Sequence, residues 1–399
     1  MGKRLFVLPV KGSEHQDWVS IDGLLESNVD EQTGPAGEMR KAEEELRKVR
    51  AAYLAGSAEA FDQAATAFLA TARETGPQLG PYPGRAVIAL ELAYNRWAPF
   101  WLAWVFTLVA FLFFLLGAVA RWKAFFVAGL TALGASLAAM LVGFTVRTVI
   151  SGRAPVTNLY ESVIFMGFGT LVFGLIFGLR SRRQSVLAAA AVVATIALVL
   201  ADYCPNVLDP GIRPLVPVLR SNIWLAVHVI TIMLSYAAFA LALAIGNITL
   251  GFYLVGSTRQ EAIRVRTRFT YKLLQAGVFL LVVGTILGAM WADYSWGRFW
   301  GWDRKEVWAL ITLLGYLGVL HARSAGWIGH RGLAAWSVAC FAMVVMAWYG
   351  VNLMGPGGLH DYGLGGDAAA YYIFAAIALE LLYVVASSLS MTSLSWQSE

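Results

Sequence analysis

Residues 291–321 read WADYSWGRFWGWDRKEVWALITLLGYLGVLH. Trp291, Trp296, Trp300, Trp302 and Trp308 fall within eighteen residues, mixed with Gly297, Gly301 and the charged run Asp303, Arg304, Lys305, Glu306. The stretch is too polar for the lipid interior and too aromatic for an ordinary solvated loop. Tryptophan collects at membrane interfaces, where its apolar ring and its N–H both find partners, so one or two there need no special account. Five, with glycines that let the backbone approach something flat, make a broad apolar surface suited to a planar hydrophobic cofactor. An aromatic belt on a loop between two membrane helices is the other reading, and the histidines bear on the choice.

The chain around this stretch is 399 residues long, 58% hydrophobic and 14% charged, with a mean hydropathy of +0.63. Soluble domains carry nearly twice that share of charge, so the composition describes an all-α integral membrane protein. From residue 97 onward, nine apolar runs have lengths suited to a bilayer: 97–119, 124–146, 159–179, 185–201, 223–255, 273–292, 307–320, 333–354 and 369–388. A helix needs about 20 residues to cross ~30 Å of hydrocarbon, so the fifth run is long enough to tilt or to project. Residues 97–399 are therefore expected to form a multi-spanning domain. Residues 1–96, with RKAEEELRKVR at 40–50 and GPQLGPYPGR at 76–85, are expected to form a small helical extension. Within it, Leu46, Val49, Tyr53, Leu54, Phe61 and Phe68 recur at roughly helical spacing over 36–73. The start, MGKRLFVLPVKG, has a basic end but too short an apolar stretch for a signal peptide, and no cleavage pattern follows.

The net charge of +5 is small for this length, and its placement carries the information. Arg121 and Lys123, then Arg180, Arg182 and Arg183, then Arg259, Arg264, Arg266, Arg268 and Lys272, then Arg323 and Arg331, fall after runs one, three, five and seven. The positive-inside rule puts these loops in the cytoplasm and excludes a nucleic-acid footprint as their purpose. The tryptophan loop, the loop at 202–220 and the loop at 355–367 then face outward, with the N-terminal extension outside and the C-terminus inside. Cys204 and Cys340, the only cysteines, stand far apart and form no CxxC, which argues against a disulfide, a zinc site or a thiol redox motif.

Of five histidines, His228 lies near the outer end of the fifth run and His360 in the outer loop after the eighth, both on the side of the tryptophan loop. An ionisable or ligand-capable side chain in a membrane span marks a functional site, because burial without a partner is costly. Two imidazoles flanking a plane of indoles suit a hexacoordinate haem, with nitrogen above and below the iron and aromatics against the porphyrin. His321 ends the seventh run on the inner side, where it either serves a buried site or caps helix carbonyls. His330 sits in a short basic inner loop and reads as solvated; His15, in the extension, carries no signal.

These residues match a family. WGRFWGWDRKEVWAL resembles the WWD signature of haem-handling proteins, and ALITLLGYLGVLHAR is similar to the CcsA (ResC) branch of the System II cytochrome c biogenesis machinery. PVTNLYESVIF at 155–165, WLAVHVITIMLSYAAF around His228 and VNLMGPGGLHDYG around His360 agree with it in the family's order, from YNRWAPF at 94–100 to the C-terminus. The resemblance implies one half of a cytochrome c synthase in the bacterial cytoplasmic membrane, which carries haem b to the outer face and supports its attachment to the CxxCH motif of apocytochrome c. It implies that His228 and His360 hold the haem iron, and that Trp296, Gly297, Trp300, Gly301, Trp302, Asp303 and Trp308, in a WWD loop at about 291–308, hold the porphyrin. His321 would belong to an inner haem site whose second histidine comes from a CcsB (ResB) partner. No acid, nucleophile or metal dyad stands out for the chemistry, so positioning is expected to carry it. Arg304 replaces the family's usual proline after the WWD aspartate, which bears on the start of the seventh span. Asp303 has Arg298, Arg304 and Lys305 within reach as ion-pair partners, and Thr157 or Asn158 is placed to cap the third span, near Glu161. A System I haem-delivery protein is the neighbouring alternative, and a haem b electron-transfer subunit a more distant one.

Overall fold

The computed structural model describes residues 5–9, 18–26, 36–181, 183–212, 223–256, 259–353 and 367–389. The chain divides into two compact units, Met1–Leu90 and Glu91–Glu399.

In the first unit, strands β1 (Phe6–Pro9) and β2 (Trp18–Ser20) pair antiparallel, followed by helices α1 (Ile21–Glu26), α2 (Ala36–Leu54) and α3 (Ala58–Leu79). Leu8, Leu24, Ala42, Leu46, Ala72 and Leu79 close a small core of their own. The helices match the periodicity of 36–73, while the strand pair is an addition: strands of four and three residues are too short to show a period. Helix α4 (Arg85–Trp97) follows.

The second unit is an all-α bundle. Its helices are α5 (Pro99–Ala120), α6 (Lys123–Ser151), α7 (Leu159–Ser181), α8 (Gln184–Tyr203), α9 (Ile223–Leu254), α10 (Gln260–Trp296), α11 (Arg304–Ser324), α12 (His330–Ala339), α13 (Phe341–Trp348) and α14 (Asp367–Leu389). Among the described residues nine helical segments are long and apolar enough to cross a membrane, α12 and α13 counting as one. Helices are the form such runs must take in lipid, where every backbone N–H and C=O needs a partner within its own segment. Two spans differ most from the sequence expectation. Helix α10 has 37 residues, extending the run at 273–292 at both ends. The eighth span is not continuous: α12 stops at Ala339, α13 starts at Phe341, and a 3₁₀ turn, Gly350–Leu353, follows.

Helix α9 is the axis of the bundle, packed by α7, α8, α10, α12, α13 and α14. Its seam with α10 is built on glycines. Phe239 lies against Gly277, Ile232 against Gly284 and His228 against Gly288, so the backbones approach closely as the two helices run antiparallel. On its other flank Phe239 stacks on Tyr316 of α11, with centroids 3.8 Å apart and planes within 5°. Hydroxyls add cross-helix bonds: Ser235 Oγ donates to the Gly277 carbonyl (2.8 Å), Ser136 Oγ to the Ala103 carbonyl (3.0 Å), and Thr195 Oγ1 to Thr107 Oγ1 (2.9 Å).

Candidate functional site at the tryptophan end of the bundle

Only residues 297–303 of the tryptophan stretch are loop: Trp291 and Trp296 belong to α10, and Trp308 to α11. Helix α10 ends in the usual left-handed glycine cap, Gly297 at φ 67°, whose N–H donates to the Asp293 carbonyl at 2.8 Å. Helix α11 begins at Arg304 with Asp303 as its N-cap: Asp303 Oδ1 accepts from the Lys305 N–H (3.0 Å), and Glu306 completes a capping box. The helix thus starts where the family's proline would start it, with side-chain capping in place of proline's preset backbone.

Glu306 ties the whole loop. One carboxylate oxygen accepts from the backbone N–H groups of Gly301 (2.8 Å) and Asp303 (3.0 Å), and the other pairs with Arg298 Nη1 at 3.0 Å. Arg298 therefore pairs with Glu306. Its guanidinium lies 5.5 Å from the Trp296 ring centroid and fills the space that a Cβ on Gly301 would occupy, which explains a glycine there. Trp302 is held at φ 57°, a left-handed conformation costly for a bulky residue, and is 70% exposed. The indoles do not form one plane. Trp291 and Trp296 meet at 68° with centroids 4.6 Å apart, and Trp300 and Trp302 at 90° and 5.8 Å, as the ring quadrupole favours. Trp291 is buried in the bundle, Trp302 faces outward, and Trp296, Trp300 and Trp308 are half-buried.

His228 lies about two helical turns along α10 from this loop. Its ring packs on α10 at Gly288, eight residues or about 12 Å along the axis from Trp296. Nδ1 is 2.7 Å from the Gly284 carbonyl oxygen. A carbonyl can only accept, so Nδ1 carries the proton and the lone pair of the neutral ring is on Nε2. His321 stands near the other end of α11, about 26 Å from Arg304 along the helix axis. It is exposed, and its Nδ1 donates to the Leu317 carbonyl at 2.7 Å. This is a local bond to the carbonyl one turn back and not a cap of the free carbonyls at the helix end, and it sets the same tautomer as in His228. His330 is not loop but the first residue of α12, half-buried with Nδ1 3.5 Å from Arg323 Nη2. His360 lies outside the described residues, as does His15.

A second polar cluster lies where PVTNLYES begins α7. Asn158 Oδ1 accepts the Glu161 N–H (2.7 Å), so Asn158 is the cap; Glu161 Oε2 accepts from Thr157 N–H and Oγ1 (2.8 and 2.9 Å). Glu161 Oε1 takes two bonds from Arg147 of α6 (3.0 and 2.7 Å), and both side chains are at most 2% exposed. Arg147 Nη1 also donates to Tyr94 Oη (3.3 Å) and the Pro210 carbonyl (2.9 Å). Arg147 thus fastens α4, α6, α7 and the loop after α8, while Trp348 Nε1 donates to Ser162 Oγ (3.1 Å) and links α13 to α7.

Sequence reasoning passed over Glu306, Arg147, Gly284 and Gly288. The first was readable as the Glu of an Asp-x-x-Glu capping box at 303–306, and the glycines as a small-xxx-small pair at 284–288. Arg147 was readable as a charge at the end of an apolar run, but its partner is set only by the packing of α6 on α7.

The fold and this site define a multi-pass helical membrane protein that presents an aromatic loop and an oriented imidazole at one end. The family model "Cytochrome C assembly protein" matches residues 156–360. A Prochlorococcus marinus (strain NATL2A) protein called cytochrome c biogenesis protein CcsA is 37% identical over 257 residues, covering 55% of this chain and 79% of that protein. A Guillardia theta protein of the same name is 34% identical over 248 residues, 54% of this chain and 79% of the relative. Protein NrfI of Wolinella succinogenes is 32% identical over 229 residues, which span 56% of this chain but 25% of NrfI. The chain belongs to the CcsA family of cytochrome c biogenesis proteins.

Proposed function

We propose that this chain is the haem-presenting subunit of a System II cytochrome c synthase, with haem b as its cargo. The observation that carries the reading is the bond from His228 Nδ1–H to the Gly284 carbonyl. Metal-bound histidines commonly donate their second nitrogen to a carbonyl or carboxylate, which fixes the tautomer and raises the basicity of the ligating nitrogen. His228 would ligate iron through Nε2, and His360 would supply the second axial nitrogen. Trp296, Gly297, Trp300, Gly301, Trp302, Asp303 and Trp308 would hold the porphyrin. The edge-to-face indoles present ring edges and faces in more than one direction, which suits lining the sides of a macrocycle better than stacking beneath it.

The loop and His228 then act by positioning. In the supported reaction each thiol of an apocytochrome CxxCH adds across a haem vinyl, with sulfur bonding to one vinyl carbon and hydrogen going to the other. Atoms and electrons balance without an added oxidant. Holding the vinyl edge against the thiols makes the step effectively intramolecular, and displacement of an axial histidine by the substrate's own histidine would release the product. His321, exposed near the opposite end of α11, would meet the second histidine of an inner site on a CcsB (ResB) partner. The NrfI match supports a partner, since there a segment like this one forms a quarter of a longer chain. The basic loops support a tryptophan end that faces outward from the cytoplasmic membrane of a bacterium.

The test is the visible spectrum of the detergent-purified chain, co-expressed with its CcsB partner, as wild type, His228→Ala and His360→Ala, each with and without imidazole. Bound b-type haem that both substitutions lose and imidazole restores supports the reading. A haem-free wild type, or haem indifferent to both substitutions, overturns it.

A further inference from the structure

We infer that Gly284 and Gly288 of α10 form a ledge that sets the tautomer and tilt of His228, which makes Gly288 a positioning residue for haem ligation. The inference rests on the proposed function. Its geometry does not: two features of one helical turn act on the same imidazole. The Gly284 carbonyl takes the Nδ1 proton at 2.7 Å. Four residues on, Gly288 leaves its backbone bare beneath the ring, where a Cβ would lie 2.5 Å from Cε1, 2.7 Å from Nδ1 and 3.1 Å from Nε2.

The distances to Cε1 and Nδ1 are far inside van der Waals contact, and that to Nε2 is tight, so both nitrogens are reached. A methyl at 288 forces the ring to move, because its Cε1–Nδ1 side faces the bare backbone and is anchored there by the Nδ1 hydrogen bond. It must swing away from α10, which breaks the Nδ1–Gly284 bond and frees either nitrogen to carry the proton. The ligating nitrogen then loses its direction and the basicity conferred by the bonded carbonyl. Gly284 is constrained too, since a Cβ there would meet Ile232 Cγ1 at 2.9 Å and the Ile232 backbone nitrogen at 3.3 Å. The ledge thus needs both glycines, one for close approach of the helices and the other for the ring.

Gly288→Ala is compared with two controls in the haem-loaded chain. Gly277→Ala strains the same α9–α10 seam against Phe239, with a Cβ 2.7 Å from Cδ1, and leaves His228 untouched; Gly318→Ala on α11 meets nothing within 4 Å. The readouts are haem affinity, low-spin EPR g-values and midpoint potential, with thermal stability of each variant alongside. Gly288→Ala is expected to lower haem affinity about 10–100-fold, to alter the g-values and to move the potential positive. Gly277→Ala should lose stability while keeping the wild-type EPR signature, and Gly318→Ala should change nothing. Equal spectroscopic effects of Gly288→Ala and Gly277→Ala, or a wild-type signature in Gly288→Ala, overturn the ledge.

If Gly288→Ala does not fold, ¹⁵N-histidine NMR of the wild type, with His228 assigned by difference from His228→Ala, still decides. A protonated Nδ1 and an unprotonated Nε2 before haem loading support the ledge, and the reverse refutes it. Haem loss in His228→Ala with an unaffected Gly288→Ala sinks the ledge alone, whereas haem indifferent to His228→Ala sinks the ligand assignment beneath it.

Discussion

Glu306→Ala removes the carboxylate that ties residues 298, 301 and 303 of the tryptophan loop to α11. The carboxylate accepts the N–H groups of Gly301 and Asp303 at 2.8 and 3.0 Å and pairs with Arg298 at 3.0 Å. Bonds to a charged acceptor contribute about 1.5–3 kcal/mol each, and water can partly replace the acceptor at this half-exposed loop. With that discount for water, the two backbone bonds together hold the loop closed by about 2–4 kcal/mol. The Arg298 pair, partly exposed, adds at most about 1 kcal/mol. At ~1.4 kcal/mol per tenfold, opening of residues 297–303 becomes about thirty- to several-hundred-fold more frequent. Hydrogen exchange in nanodiscs reads this directly: the Gly301 and Asp303 amides should exchange faster by that factor, while those of the α9–α10 seam keep their wild-type rates. Glu306→Gln, with one acceptor oxygen and no charge, should fall between, and Arg298→Ala should change little. Wild-type exchange at Gly301 and Asp303 in Glu306→Ala would refute the reasoning that this carboxylate holds the loop.

Breaking the buried Arg147–Glu161 pair from one side leaves an uncompensated charge, so Arg147→Ala or Glu161→Ala should cost about 3–5 kcal/mol in thermal or denaturant unfolding, and Arg147→Met with Glu161→Leu together should cost less than either single change. Phe239→Ala empties the space between Gly277 and Tyr316 and should destabilise the bundle by about 3–5 kcal/mol, read as a lower unfolding temperature in detergent. Trp302→Gly relieves a left-handed backbone that costs about 1–2 kcal/mol, so the variant should be no less stable than wild type, while its haem retention, if the loop holds haem, falls in a pull-down of the loaded chain.

The nine spans were legible because insertion into lipid is a local property of a run of side chains. Any segment of about 20 apolar residues must be a helix there. The strand pair β1–β2 was not, since so few residues carry no period and the pairing depends on the chain returning from Pro9 to Trp18. The break at Cys340 was likewise invisible, because the apolar run continues through it. At the site, the tryptophans, His228 and Asp303 could be picked out from residue type alone, but Asp303 was read as an ion-pair partner and its role as the N-cap of α11 emerged only from the structure. Glu306 was in view but unassigned: it reads as one more member of a charged run until its carboxylate is seen to accept two backbone N–H groups and an arginine.

Composition and pattern by themselves determined that this is a multi-pass helical membrane protein with an aromatic loop and ligand-capable histidines. Both follow from how each residue type partitions between water, interface and lipid. Tertiary structure alone decided what orients those groups. His228 and Gly284 are 56 positions apart and meet only because α9 and α10 run antiparallel across a glycine seam. Arg147 and Glu161 are buried together only because α6 and α7 close on each other at that depth. The hydrogen bonds that select a tautomer or neutralise a buried charge act over about 3 Å, and that proximity is a property of packing that no local window of sequence contains.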